Sequence, residues 1–165
     1  MNTMDLTTLA GVAINGVAIL SSSSMEKVDP YFPKQWSGAT SVQAEMVDAC
    51  LAHPQVAGIY HYHILSPCIL SSAGIQTSSA CVQIGSCASD IRSYAISAYS
   101  TQKKEILLGV AKDGHMILGP YKDDGTKFSC SSYDQCGGLT SADGSYVYNF
   151  NNRYPYTMDC FGPAV

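Results

Sequence analysis

Charge is scarce in this chain: Asp, Glu, Lys and Arg make up 13% of its 165 residues, and the formal net charge is −4. A surface that neutralises phosphates needs clustered Lys and Arg, so no nucleic-acid partner is expected. Long apolar runs are missing too. No stretch approaches the roughly 20 apolar residues of a spanning helix, and no membrane span is expected. There is no C-x-x-C pair, no G-x-S-x-G, no P-loop, no H-E-x-x-H and no dinucleotide fingerprint, which removes the redox, zinc-ribbon and motif-defined enzyme classes. The N-terminal "MNTMDLTTLAGVAINGVAIL" has no basic region, carries Asp5 and breaks its apolar run at Asn15-Gly16, so it does not read as a signal peptide.

Cysteine, by contrast, is plentiful. Cys50, Cys68, Cys81, Cys87, Cys130, Cys136 and Cys160 are more than a reduced cytosolic protein usually carries, which points to an oxidising compartment, extracellular or at the cell surface. A chain of this length buries one substantial core rather than two.

Self-similarity organises the chain. "GVAINGVAIL" at 11 to 20 returns as "GVAKDGHMIL" at 109 to 118, each copy with a turn dipeptide, Asn15-Gly16 or Asp113-Gly114, between apolar β-prone runs. Such dipeptides tolerate positive φ, and both copies read as β-hairpins. Downstream, "DACLAHPQVAGIYHYH" at 48 to 63 aligns without a gap with "DQCGGLTSADGSYVYN" at 134 to 149. The expected fold is therefore a single β-rich α+β domain of two internally duplicated halves, with β-hairpins, a few short helices and disulfides. The first half runs over about 9–68, an insert over 69–105 and the second half over 106–163. Thr40-x-x-Gln43 makes a capping box that predicts a short helix to about Leu51, ended by His53-Pro54. "SSSS" at 21 to 24 reads as a flexible or turn segment, and "KDDG" at 122 to 125 as a tight turn rather than a calcium loop.

The chemistry concentrates in "GIYHYHILSPC" at 58 to 68. On a strand, His61 and His63 share one face and Tyr60 and Tyr62 the other. With Asp48 and His53 upstream, the imidazoles supply ligands of the kind zinc or copper accepts. In the competing reading they are a hydrogen-bonded structural pair, with Asp48 accepting from one ring nitrogen. Val147 and Asn149 stand at the matching places of the second half, so any such chemistry belongs to the first half alone. The four tyrosines, Tyr60, Tyr62, Tyr146 and Tyr148, read as packing residues with hydrogen-bonded hydroxyls, and His115 as an ordinary strand residue. Duplication suggests equivalent bridges Cys50 to Cys68 and Cys136 to Cys160, with Cys81 to Cys87 pinning the insert and Cys130 free. The alternative pairs Cys130 with Cys136, echoing the C-x5-C spacing of Cys81 and Cys87.

In this order, "GVAINGVAIL", "DACLAHP", "GIYHYH", "GVAKDGHMILGPY" and "YPYTMDCFGP" resemble the YHYH domain family, across nearly the whole of residues 1–165. The resemblance implies a secreted or surface-associated protein, with His61 and His63 at the defining histidines and Asp48, Cys50 and His53 at the upstream D-x-C-x-x-H. It also implies further β-sequence before the first G-V-A segment, so the chain is expected to begin inside the usual domain. Three function classes follow, in this order: a noncatalytic binding or structural module for a protein, glycan or matrix partner; a metal-binding domain centred on His61 and His63; and a metal-dependent hydrolase or oxidase with Asp48 or His53 as general base.

Overall fold

The computed structural model describes residues 9–24, 27–33, 43–55, 57–71 and 79–163. Strands β1 (Leu9–Ala13) and β2 (Ala18–Leu20) are followed by β3 (Ala52–Pro54) and β4 (Tyr60–Tyr62). A 3-10 turn (Cys81–Gln83) then leads to helices α1 (Gly85–Ser89) and α2 (Ile91–Ser97). Strands β5 (Leu107–Ala111) and β6 (Met116–Leu118) come next, then a second 3-10 turn (Cys130–Ser132), β7 (Gly138–Thr140) and β8 (Tyr146–Asn149). Among the described residues all eight strands join one sheet, in the order β3-β4-β2-β1-β5-β6-β8-β7. No helix of these residues is long and apolar enough to cross a membrane.

The order reads similarly from its centre outward. β1 pairs antiparallel with β2 and β5 with β6, each pair with a register break at its first residues. β2 runs parallel to β4 and β6 parallel to β8, while β3 and β7 close the two edges antiparallel. Both hairpins turn where the dipeptides place them: Gly16 (φ 84°) and Gly114 (φ 92°) take up the left-handed backbone that side chains disfavour. At the centre β1 crosses β5 so closely that a Cβ on Gly11 would lie 2.6 Å from the carbonyl oxygen of Val110, which explains the glycine of each G-V-A segment.

The core is filled by residues from both hairpins and from the chain beyond them, among them Ile19, Leu51, Tyr62, Leu65, Leu108, Ile117, Tyr148, Phe150 and Met158, all essentially inaccessible. In the insert, the Asp90 carboxylate accepts from the Arg92 N–H and caps α2, which buries Ile91, Ala95 and Ile96. Three disulfides join Cys50 to Cys68, Cys81 to Cys87 and Cys136 to Cys160, and Cys130 is free and exposed. The Lys122–Gly125 segment is a tight turn, with the Gly125 N–H donating to the Lys122 carbonyl.

Two expectations are corrected. The helix predicted from Thr40 to Leu51 does not form over its described part: residues 43–47 belong to neither helix nor strand, and Asp48 bridges to Ala80. Thr40 itself lies outside the described residues. The cause is local competition. The Asp48 carboxylate takes the N–H groups of Cys50 and Ala52, and Leu51 adopts a positive φ of 61°. The second concerns the flexible alternative for "SSSS": the segment is irregular and bent, as a turn would be, but Ser21, Ser22, Ser23 and Ser24 are all buried. Ser22 donates to the Met158 carbonyl and Ser23 contacts the Tyr154 hydroxyl, so the segment ties β2 to the C-terminal stretch.

Candidate metal centre

Three features of the chain bring the imidazoles together. The turn braced by Asp48 launches β3, and Gly58 (φ 79°) closes the connection to β4, with its N–H donating to the Gln55 carbonyl. His53 then stands directly opposite His61 in the antiparallel pair. His63, two residues further along the chain, returns to the same side by strand alternation. Finally, the Cys50–Cys68 bridge closes a loop that contains all three histidines.

The nitrogens converge. One ligand atom from each of His53, His61 and His63 lies within 4.8 Å of the others. His61 Nε2 is 3.0 Å from His63 Nε2. The opposite ring nitrogens face backbone carbonyls: His61 Nδ1 lies 2.9 Å from the Ile59 oxygen and His63 Nδ1 2.5 Å from the Ser21 oxygen. A carbonyl can only accept, so each Nδ1 carries the proton and each neutral ring presents a bare lone pair at Nε2. Burial pushes the His61 imidazole down to about 4 and lowers that of His63 as well, which favours these neutral forms. Two acceptors 3.0 Å apart, with no donor between them, repel unless a cation is shared.

Sequence reading missed a fourth group. Glu45 Oε2 lies 3.2 Å from His53 Nε2 and 3.4 Å from His63 Nε2. Both Glu45 Oε2 and His53 Nε2 are buried without a well-formed hydrogen bond. Burial alone would raise the Glu45 pKa, but the hydrogen-bonding contact with His53 opposes it and helps hold the carboxyl below its ordinary value. The only signal in the sequence was that "SVQAEMV" contains a single carboxylate. Tyr31 was missed as well: its hydroxyl is buried with no hydrogen-bond partner among the described residues, and desolvation first, then the charges of Glu45 and Asp29, push its pKa well up.

Asp48 is not brought to the imidazole nitrogens. Its Oδ1 accepts from Cys50 N–H and Ala52 N–H, and its Oδ2 from the Tyr60 hydroxyl at 2.5 Å. Asp134 does the same in the second half, accepting from Cys136 N–H, Gly138 N–H and the Tyr146 hydroxyl, where no imidazole pair exists. Asp48 therefore braces a turn. Replacing it by alanine is expected to cost on the order of 2 kcal/mol, since buried N–H groups lose a charged acceptor. Urea denaturation reads the loss.

The second half also separates what the fold requires from what it does not. Asn149 aligns with His63, and its Nδ2 donates to the Gly119 carbonyl just beyond β6, as His63 Nδ1 donates to the Ser21 carbonyl just beyond β2. An amide thus meets the structural need, and the Nε2 lone pairs of the first half are surplus to it. Tyr62 and Tyr148, both fully buried, likewise bond the turn residues Asn15 and Asp113 through their hydroxyls. His115 lies outside the cluster, with Nε2 2.8 Å from the Pro163 carbonyl.

The family model described as YHYH protein matches residues 1–133. The chain belongs to that family. No match was found among curated proteins or among solved structures. In this YHYH protein the tetrapeptide, Tyr60 to His63, comprises β4 and the residue after it, and its alternation sends the imidazoles to the cluster while Tyr62 enters the core. β7, β8 and the Cys136–Cys160 bridge lie beyond the matched residues.

Proposed function

We propose that this YHYH protein is an extracellular or surface domain that binds one divalent transition-metal ion, zinc before copper, through His53, His61, His63 and Glu45. The observation that carries the reading is the convergence of one nitrogen from each of His53, His61 and His63 within 4.8 Å of one another, beside the Glu45 carboxylate and with the bare Nε2 atoms of His61 and His63 facing each other at 3.0 Å. Zinc at about 2.0–2.1 Å from each ligand implies ligand-to-ligand edges of about 3.3–3.4 Å in a tetrahedron. Three of the six edges, at 3.0, 3.2 and 3.4 Å, sit near that value, and the three histidine nitrogens together span no more than 4.8 Å. Copper(II) prefers tetragonal geometry, with shorter adjacent edges. The two carbonyls that fix the imidazole tautomers supply the outer-shell bonds that metal-bound histidines usually have.

The duplication reading is supported by the shared registers and by the matched Asp48 and Asp134 turns. On that view one half kept the imidazoles for a ligand and the other kept only the hydrogen bonds. Three disulfides support an oxidising location. A groove lined by His53 favours a second reading, metal-assisted hydrolysis, in which movement of Glu45 would open the buried His53 Nε2 side of the site to the groove.

The test is zinc titration of the oxidised protein against a chromophoric chelator. One equivalent is expected, with Glu45→Gln binding roughly 10-fold or more weakly, since even outer-shell changes cost about that much. Wild-type protein that takes up no zinc and no copper overturns the reading.

A further inference from the structure

Resting on the metal reading, the shape of the protein around His53 says what else the ion would bind. His61 and His63 are buried, whereas His53 is partly open and lines a groove with Met46, Val47, Ala52, Pro54, Tyr60, Ser79 and Ala80. The groove measures about 330 Å³, enough for one ring-sized ligand. Its walls are mostly apolar, and Met46, next to Glu45, is 80% exposed at its rim. Among the described residues no Lys or Arg lines it, and the one carboxylate they contribute, Asp48, is occupied by two N–H groups and the Tyr60 hydroxyl.

Among the four groups at the cluster, Glu45 is the one not carried by β3 or by β4 and its extension. It sits in the irregular 43–47 segment, fixed there by its own N–H to the Pro30 carbonyl at 2.8 Å. Swinging this side chain away needs no strand to move. We propose that the centre is an exchangeable one: Glu45 is the displaceable ligand, and the incoming ligand is an oxygen donor of low charge with an apolar, ring-sized body that lies in the groove beside His53. A phosphate dianion is the wrong class, because the described residues of the groove offer it no cation besides the metal.

The test uses the whole oxidised chain loaded with cobalt(II), whose visible absorption reports its ligands. Benzohydroxamate should shift the spectrum and bind about tenfold or more tightly than acetohydroxamate, because only the former fills the groove. Inorganic phosphate should bind more weakly than either. Ser79→Trp, an exposed position whose backbone carbonyl bond to Ala49 survives the change, should fill the groove, keep the cobalt and erase the preference. A second variant, Met46→Lys, should raise phosphate affinity. Cobalt spectra with equal affinities for the two hydroxamates, or with phosphate the tightest, overturn the groove proposal and leave the metal reading standing. No cobalt spectrum together with no uptake of zinc or copper overturns both, and zinc uptake without a cobalt spectrum moves the hydroxamate comparison to the zinc protein, read by calorimetry, with the same outcomes.

Discussion

Converting the first half to the second, His61→Val with His63→Asn, is expected to abolish zinc binding while leaving the fold intact. Asn149 already shows an amide donating to the carbonyl beyond the neighbouring strand, so the amide introduced in place of His63 should keep the bond to Ser21, and Val147 shows that valine fits the matching strand position in β8. Two of the four converging groups disappear, and the affinity loss should exceed the roughly 10–100-fold that follows loss of an outer-shell partner. Stability carries the same signature. Free zinc at about 100 times the dissociation constant stabilises a protein by about 2.7 kcal/mol. At about 2–4 °C per kcal/mol for a domain of this size, the wild type should melt about 5–11 °C higher with zinc than with a chelator. The variant should melt at one temperature in both. Calorimetry with and without chelator checks this, and a variant that unfolds outright would mean that the imidazoles serve packing.

The second large effect separates the Cys50–Cys68 and Cys136–Cys160 bridges. Cys50–Cys68 spans 18 residues and Cys136–Cys160 spans 24, so the chain-entropy argument assigns each about 3 kcal/mol. Replacing either pair by serine should therefore cost similar stability. Only the first pair should also weaken zinc, because His53, His61 and His63 all lie between Cys50 and Cys68. Its removal frees the β3–β4 pair that fixes their spacing. The comparison is internal: zinc affinity down about tenfold or more in Cys50→Ser/Cys68→Ser and unchanged in Cys136→Ser/Cys160→Ser. Equal zinc affinities in the two double variants would sever the link between the loop and the site.

What was legible in the sequence was local. Asn15-Gly16 and Asp113-Gly114 mark turns by their own backbone preferences, and strand alternation alone puts His61 and His63 on one side. What stayed hidden depends on distant partners. Ser21 to Ser24 do form an irregular segment, but their burial goes with contacts to Tyr154 and Met158, more than 130 residues away. The capping-box pattern before Leu51 promised a helix, but the Asp48 carboxylate bonds its own following N–H groups instead. Glu45 carries no spacing signature, since its place beside two imidazoles is set by where the 43–47 segment crosses β3 rather than by any helical or strand period. Asp48, which lies nearer in sequence, was drawn off by Tyr60.

The most direct test of the account is a crystal structure of the oxidised protein grown with zinc, with anomalous data collected on both sides of the zinc absorption edge. The account predicts one strong peak at about 2.0–2.1 Å from the Nε2 atoms of His53, His61 and His63 and from a Glu45 oxygen. A map with no peak there, and with a proton-sharing His61–His63 pair in its place, would contradict it.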